Sequence, residues 1–154
     1  ASLRDAMWWS GLSRLEVTTA MNESPRHFVT VHTPWCQSPL YMYDDRYDQS
    51  RDMLSQPRTP VLNFLAHEDV ALKAYFESRG RYLGMLPPRR AFNQIGEVLP
   101  TIAYDGQIVG TWAWDTKKAR VMYTIIPGYD SAQVHKEARR QANTLSKTLR
   151  ARWD

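Results

Sequence analysis

Apolar positions along this chain recur first at helical spacing, then at strand spacing, and at the end at helical spacing again. Residues 3–10 and 14–23 are expected as two helices, each opened by a capping box: Ser2 with Asp5, and Ser13 with Glu16. In each, the hydroxyl can accept from an orphan N–H and the carboxylate can reach back to the cap. Gly11 between them suits a left-handed C-cap. On the second helix Val17, Ala20 and Met21 form the expected buried side. Residues 27–33 then alternate as a strand, 34–39 form a proline-bounded turn, and 40–45 make a second strand. Helix, turn, helix and hairpin follow in the order of a winged helix.

A charged helix is expected over 45–54, closed by the stretch "SQPRTP" at 55–60. That stretch is the natural boundary between a module at 1–56 and another at 57–154. Beyond it, 61–66 is a buried strand candidate and 67–78 a helix with Val70, Tyr75 and Phe76 on its apolar stripe. Two glycines and two prolines make 79–90 mostly loop. Residues 99–104, 107–114 and 119–126 form a three-stranded meander, its first turn the Asp-Gly pair at 105–106 that a tight hairpin prefers. Gly110 is expected where two strands approach closely. A long helix over 131–152 closes the chain, with Val134, Ala138, Ala142, Leu145, Leu149 and Trp153 on one stripe. The fold class expected is α+β: a winged helix-turn-helix, then a small antiparallel barrel or meander closed by that helix.

Composition narrows the function more than the fold. Hydrophobic residues at 43% and charged residues at 23% are those of an ordinary globular domain. No apolar run is long enough to span a bilayer, and "ASLRDAMWWSGL" lacks the regions of a secretory signal. The opening on Ala1 suggests a processed or excised piece of something longer. The single cysteine, Cys36, can make neither an internal disulfide nor a cysteine-based zinc site, which points to a reducing cytoplasm. The net charge of +4 is mild, but its distribution is not. Arg79, Arg81, Arg89 and Arg90 lie in a stretch from 78 to 96 that holds no acid. The last helix sets Lys136, Arg139, Arg140, Lys147 and Arg150 opposite its apolar stripe, as a solvated face or a phosphate-facing one.

Candidate chemistry is sparse. There is no nucleophile elbow, phosphate-cradling Walker loop or G-x-G-x-x-G. His67-Glu68-Asp69 lacks the second histidine four residues on that a zincin helix needs, so neither a metal nor a cofactor is expected. Cys36 has no activating base nearby in sequence. Trp112 and Trp114, two apart on a strand, share one side, as an aromatic core or as a stacking platform for unpaired bases. On the helix 14–23, Arg14, Thr18, Thr19 and Asn22 remain for a DNA groove or phosphates, with Glu16 and Glu23 opposing them. Such a helix either reads DNA or serves as a structural spacer.

Three segments in this order, "MWWSGLSRLEVTTAM" (7–21), "VLNFLAHEDVALKAYFESRGR" (61–81) and "LPTIAYDGQIVGTWAW" (99–114), carry a resemblance. The chain resembles the C-terminal portion of the winged-helix DNA-binding family that includes the bacterial interstrand-crosslink DNA glycosylases of the AlkZ and YcaQ types. The resemblance implies a last winged helix followed by a small β-barrel, acting on double-stranded DNA in repair. It also implies that the glycosylase motif, Gln-aromatic-Gln or Gln-aromatic-Asp, sits in a more N-terminal part, since these residues do not contain it. His67-Glu68-Asp69 stands where that family has a Phe-Asp corner. The expected function is duplex DNA binding without the catalytic part, in the cytoplasm and on the nucleoid, with the missing N-terminal part as a partner. Arg14, Thr18, Thr19 and Asn22 would face the groove, and Arg79, Arg81, Arg89 and Arg90 would neutralise phosphates. The alternative is a scaffolding module whose terminal basic helix meets an acidic partner.

Overall fold

A helix begins most cheaply where a nearby side chain satisfies its first N–H groups, and both serine-acid pairs do this. The computed structural model describes residues 1–54 and 58–151. In α1 (Leu3–Ser10) the Ser2 hydroxyl accepts the Asp5 N–H at 3.0 Å, and the Asp5 carboxylate accepts the Ser2 N–H at 3.4 Å. Gly11 ends the helix at φ +73°, a left-handed conformation glycine adopts without strain. In α2 (Arg14–Glu23) the Glu16 carboxylate accepts the Ser13 N–H at 2.8 Å. Val17 is the buried residue of α2 and Met21 is half-buried, but Ala20, expected inside, is exposed. The covered stripe is narrow, and a position about 60° from Val17 on its open side already reaches solvent.

Strands β1 (Phe28–Thr33) and β2 (Cys36–Tyr43) pair antiparallel, Phe28 opposite Tyr43 and Thr33 opposite Cys36. The second strand therefore starts four residues earlier than the proline-bounded turn suggests. Its register shifts between the Val31–Leu40 and Thr33–Cys36 pairs, and Pro39, which has no donor, lies in that irregular stretch. Ser2 bridges Leu40 on the same strand. Helix α3 (Asp44–Leu54) follows at once, held at its start by Arg26, whose Nη2 donates to both carboxylate oxygens of Asp45.

The helix expected over 67–78 is the largest departure. Only one turn forms, α4 (Val70–Lys73). At its start Glu68 adopts φ +59°, and its carboxylate and N–H both bind the backbone of Val98. Further on, Asp5 accepts the Glu77 N–H at 2.6 Å and the Ser78 hydroxyl at 2.7 Å. Tertiary partners have taken groups that a longer helix would have used, a competition that periodicity does not contain. Single turns also interrupt the expected loop: α5 (Gly80–Leu83) and α6 (Pro88–Ala91).

Strands β3 (Leu62–Leu65), β4 (Thr101–Tyr104), β5 (Gln107–Asp115) and β6 (Arg120–Ile125) form one antiparallel sheet in the order β3-β4-β5-β6. The turn between β4 and β5 has φ +48° at Asp105 and +77° at Gly106, both left-handed as that hairpin requires. The expected barrel is not formed. Among the described residues the sheet stays open, with no ladder between β3 and β6. Four strands of four to nine residues are too few to close on themselves, and helix α7 (Ala132–Arg150) covers the apolar face instead. Leu62, Ile102, Val109, Val134 and Ala138 form the buried core between them, with Phe64, Trp112, Tyr123 and Ile125 packed around it.

On α7, Val134, Ala138, Ala142 and Ser146 are buried, and Leu145 and Leu149 are half-buried. Trp153, expected on this stripe, lies outside the described residues, as do residues 55–57 of the proline-bearing stretch. Ser146 joins the buried face although it is polar: its hydroxyl donates to Ala142 and accepts the Val121 N–H at 2.9 Å. Ser146→Ala leaves that buried N–H without an acceptor and should cost about 1–3 kcal/mol in urea unfolding. A change under about 0.5 kcal/mol would mean that water or a backbone shift satisfies Val121.

The described chain divides into two compact units. One comprises Ala1–Thr59 with Val70–Arg81, and the other Pro60–Asp69 with Tyr82–Asp154.

Candidate nucleic-acid interface

In the first unit, α2 presents Arg14, Thr19 and Asn22 to solvent, with Thr18 half-buried beside them. The Thr18 hydroxyl donates back to the carbonyls of Arg14 and Leu15, at 3.0 and 2.9 Å, leaving it as an acceptor only. Leu15 stands among these residues and is 75% exposed, an apolar element the sequence reading did not single out. Glu16 and Glu23 project opposite Arg14 but within about 60° of Thr19, and Ser13 hydrogen bonds hold Glu16 below its ordinary pKa. Arg14 also lines an open depression of about 400 Å³ with Arg4, Tyr41 and Glu77. There the Ser38 hydroxyl donates to Glu77 at 2.6 Å, a pairing across 39 residues that no local pattern announces.

Arg79 and Arg81 are less available than their spacing suggested. The Arg79 guanidinium lies 4.8 Å from the Phe76 ring centroid and is half-buried. Burial lowers its pKa, and the nearby Asp5 carboxylate acts in the opposite direction. Arg81 lies 4.8 Å from the Trp35 ring. Both are therefore stacked side chains, and contacts with aromatic faces compete with a phosphate for them.

In the second unit, Arg89 and Arg90 occupy consecutive positions of α6, and both are exposed. Arg90 reaches the Thr111 hydroxyl at 3.4 Å, a long contact that leaves most of its donor fork to solvent. Helix α7 exposes Lys136, Arg139, Arg140, Lys147 and Arg150. Arg140 pairs with Glu137, whose pKa is lowered to about 2 by hydrogen bonds from Arg140 and Gln141. Arg150 donates to the Ala119 carbonyl at 2.7 Å. The structure thus brings Arg14, Thr18 and Asn22 to one side of α2, with Thr19 turned toward Glu23, and sets Arg89 beside Arg90 on α6.

The tryptophans of the meander belong to packing. The Trp112 indole donates to the Leu65 carbonyl at 2.8 Å and meets Phe64 at 5.9 Å between centroids. Trp114 is half-buried on the same strand. Among the described residues, no group of three His, Cys, Asp or Glu side chains is placed to hold a metal. His67 lies 3.8 Å from Glu97, a single pair. No described helix is long and apolar enough to cross a membrane.

The class is that of a mixed α+β protein with antiparallel sheets and exposed basic clusters on α6 and α7. A profile of the DNA glycosylase AlkZ-like family matches residues 1–147, and the chain belongs to that family. A solved structure, the DNA glycosylase AlkZ of Streptomyces sahachiroi, is similar in fold with a TM-score of 0.59 at 16% identity. The similarity covers 90% of this chain and 37% of that one, so the chain spans little over a third of the protein it matches. A search of curated proteins gave no match.

Proposed function

We propose that this chain is a duplex-DNA-binding portion of a DNA-repair glycosylase, with the base-excising chemistry carried by residues outside it. The observation that carries the reading is the family membership over residues 1–147. The exposed arginine pair of α6 and the polar face of α2 agree with it. On this reading α1, α2 and the β1–β2 pair act as a winged helix-turn-helix module, followed from residue 57 onward by the sheet that α7 covers. Asn22 and Thr19 face the groove, while Arg14 lies on phosphate. Arg89 and Arg90 neutralise backbone charge; Arg79 and Arg81 contribute less, because Phe76 and Trp35 already engage them. The remaining part of the glycosylase is then the chain's partner, and the cytoplasmic nucleoid its place of action.

Arg89→Ala/Arg90→Ala should weaken binding to fluorescent duplexes by a similar factor whatever their sequence. The slope of log affinity against log salt should become shallower by about 2, one counterion released per lost phosphate contact. An unchanged slope would remove these arginines from the interface. Absence of salt-dependent duplex binding by the intact chain would overturn the function itself.

A further inference from the structure

We propose that the solvent face of α7 is a second duplex-DNA contact, a sequence-independent rail along one phosphate backbone. The inference rests on the DNA-binding reading above and adds a surface to it. The whole chain carries 20 basic and 16 acidic residues. Five of those basic residues and one acid, Glu137, lie on α7, so the rest of the chain is electrically balanced and α7 holds the entire excess.

Helical geometry decides how that charge is displayed. At 3.6 residues per turn, Lys136, Arg139, Arg140, Lys147 and Arg150 fall within an arc of roughly 100°, turned away from the buried Val134, Ala138 and Ala142 and bordered on one edge by the buried Ser146. From Lys136 to Arg150 the row is about 21 Å long, the axial length of about six phosphates on one strand of B-DNA. All five side chains are exposed. Glu137 projects to the side of this arc, where it engages Arg140 and Gln141, and no acid interrupts the row. The near end is a shallow groove of about 460 Å³ lined by His135, Lys136, Arg139, Arg140 and Asn143.

The composition of the face selects the partner. Protein interfaces are anchored by buried aromatic and aliphatic side chains, and this arc has none. Between the cations stands Asn143, with Thr144 and Thr148 at the margin. Lys, Arg, Asn and Thr are the side chains that contact phosphate and sugar, and a uniform rod of one sign fits a polyanion of regular spacing. Base reading is not expected, because the row follows the helix length rather than presenting a few side chains at one end.

The test uses Lys136→Ala/Arg139→Ala/Lys147→Ala, sparing Arg140 and Arg150 because both have protein partners. Circular dichroism and urea unfolding should match the parent chain, since all three positions are exposed on a helix. Duplex affinity should fall at least tenfold at low salt, equally for unrelated sequences, with the salt slope shallower by about 2–3. If the parent chain binds duplex and the triple variant binds with the same affinity and slope, the rail is overturned while the DNA-binding reading stands. If the parent chain does not bind duplex, both fall. If polyglutamate binds the parent more tightly than duplex does, and the triple variant loses only that binding, the face serves an acidic protein and the proposal is wrong.

Discussion

Asp5→Ala is expected to cost about 3–5 kcal/mol, enough to unfold a chain of ordinary stability at moderate temperature. Asp5 is 1% exposed. Its carboxylate accepts the Ser2 N–H that closes the first capping box, then the Glu77 N–H and the Ser78 hydroxyl from a segment 72 residues on. Alanine leaves these buried donors facing a void, and each unsatisfied donor costs about 1–3 kcal/mol. Asp5→Asn keeps the volume but loses charge-assisted acceptance, and should fall between the two. Burial alone would raise the Asp5 pKa; hydrogen bonds from Ser78, Glu77 and Ser2 outweigh it and hold the group below its ordinary value. A folded-state pKa below the unfolded one stabilises the fold fully above the unfolded value, about 3.9, and loses that contribution as pH falls through the folded value. In melting curves, the stability gap between the parent and Asp5→Asn should therefore be constant from pH 7 to about pH 5 and narrow as pH falls below about 3.9. A constant gap down to pH 3 would show that the carboxylate's charge is not what stabilises the site.

Gly110→Ala is the second large effect, about 3 kcal/mol or more. Gly110 is buried in β5, opposite Ile102 on β4 and Ile125 on β6. A Cβ built there falls well inside van der Waals contact of the Thr124 carbonyl oxygen and presses on the Ile125 side chain. Flexible side chains can move aside, but a ladder carbonyl can retreat only if the β5–β6 pairing opens. The cost should therefore exceed the 1–3 kcal/mol usual for an added methylene. Gly106→Ala is the control. Its φ of +77° strains an L-residue, but nothing lies within 4 Å of the new methyl, so about 1–2 kcal/mol is expected. Equal denaturation midpoints for the two variants would mean that the strands part without resistance at Gly110.

Sequence reading succeeded where one residue's partner lies three or four positions away. Ser2 with Asp5, Ser13 with Glu16, and Gly11 between them fix α1 and α2 by interactions inside a single turn. Asp105-Gly106 specifies its hairpin through the φ values it tolerates, and α7 displays its two faces through spacing alone. For the same reason the exposed arginines of α6 and the cations of α7 were legible as candidate contacts before any tertiary information.

Partners far apart in the chain were not legible. Arg81 lies 46 positions beyond Trp35, and nothing in its arginine-rich neighbourhood shows that it stacks on that ring. Ala20 looked buried by periodicity, but how wide a stripe is covered depends on what packs against α2. Glu77 gained Ser38 as a partner only through folding.

The sequence by itself determined the starts and stops of α1 and α2, the tight hairpin, the amphipathic terminal helix and the family resemblance, because each depends on short spacings or on residue order. Tertiary structure alone decided that 67–78 breaks after one turn, that β3 completes a four-stranded sheet and that the sheet stays open under α7. Those outcomes depend on which distant groups win the backbone donors and which element covers the apolar face. Such contests are settled by packing in three dimensions, where local periodicity carries no information.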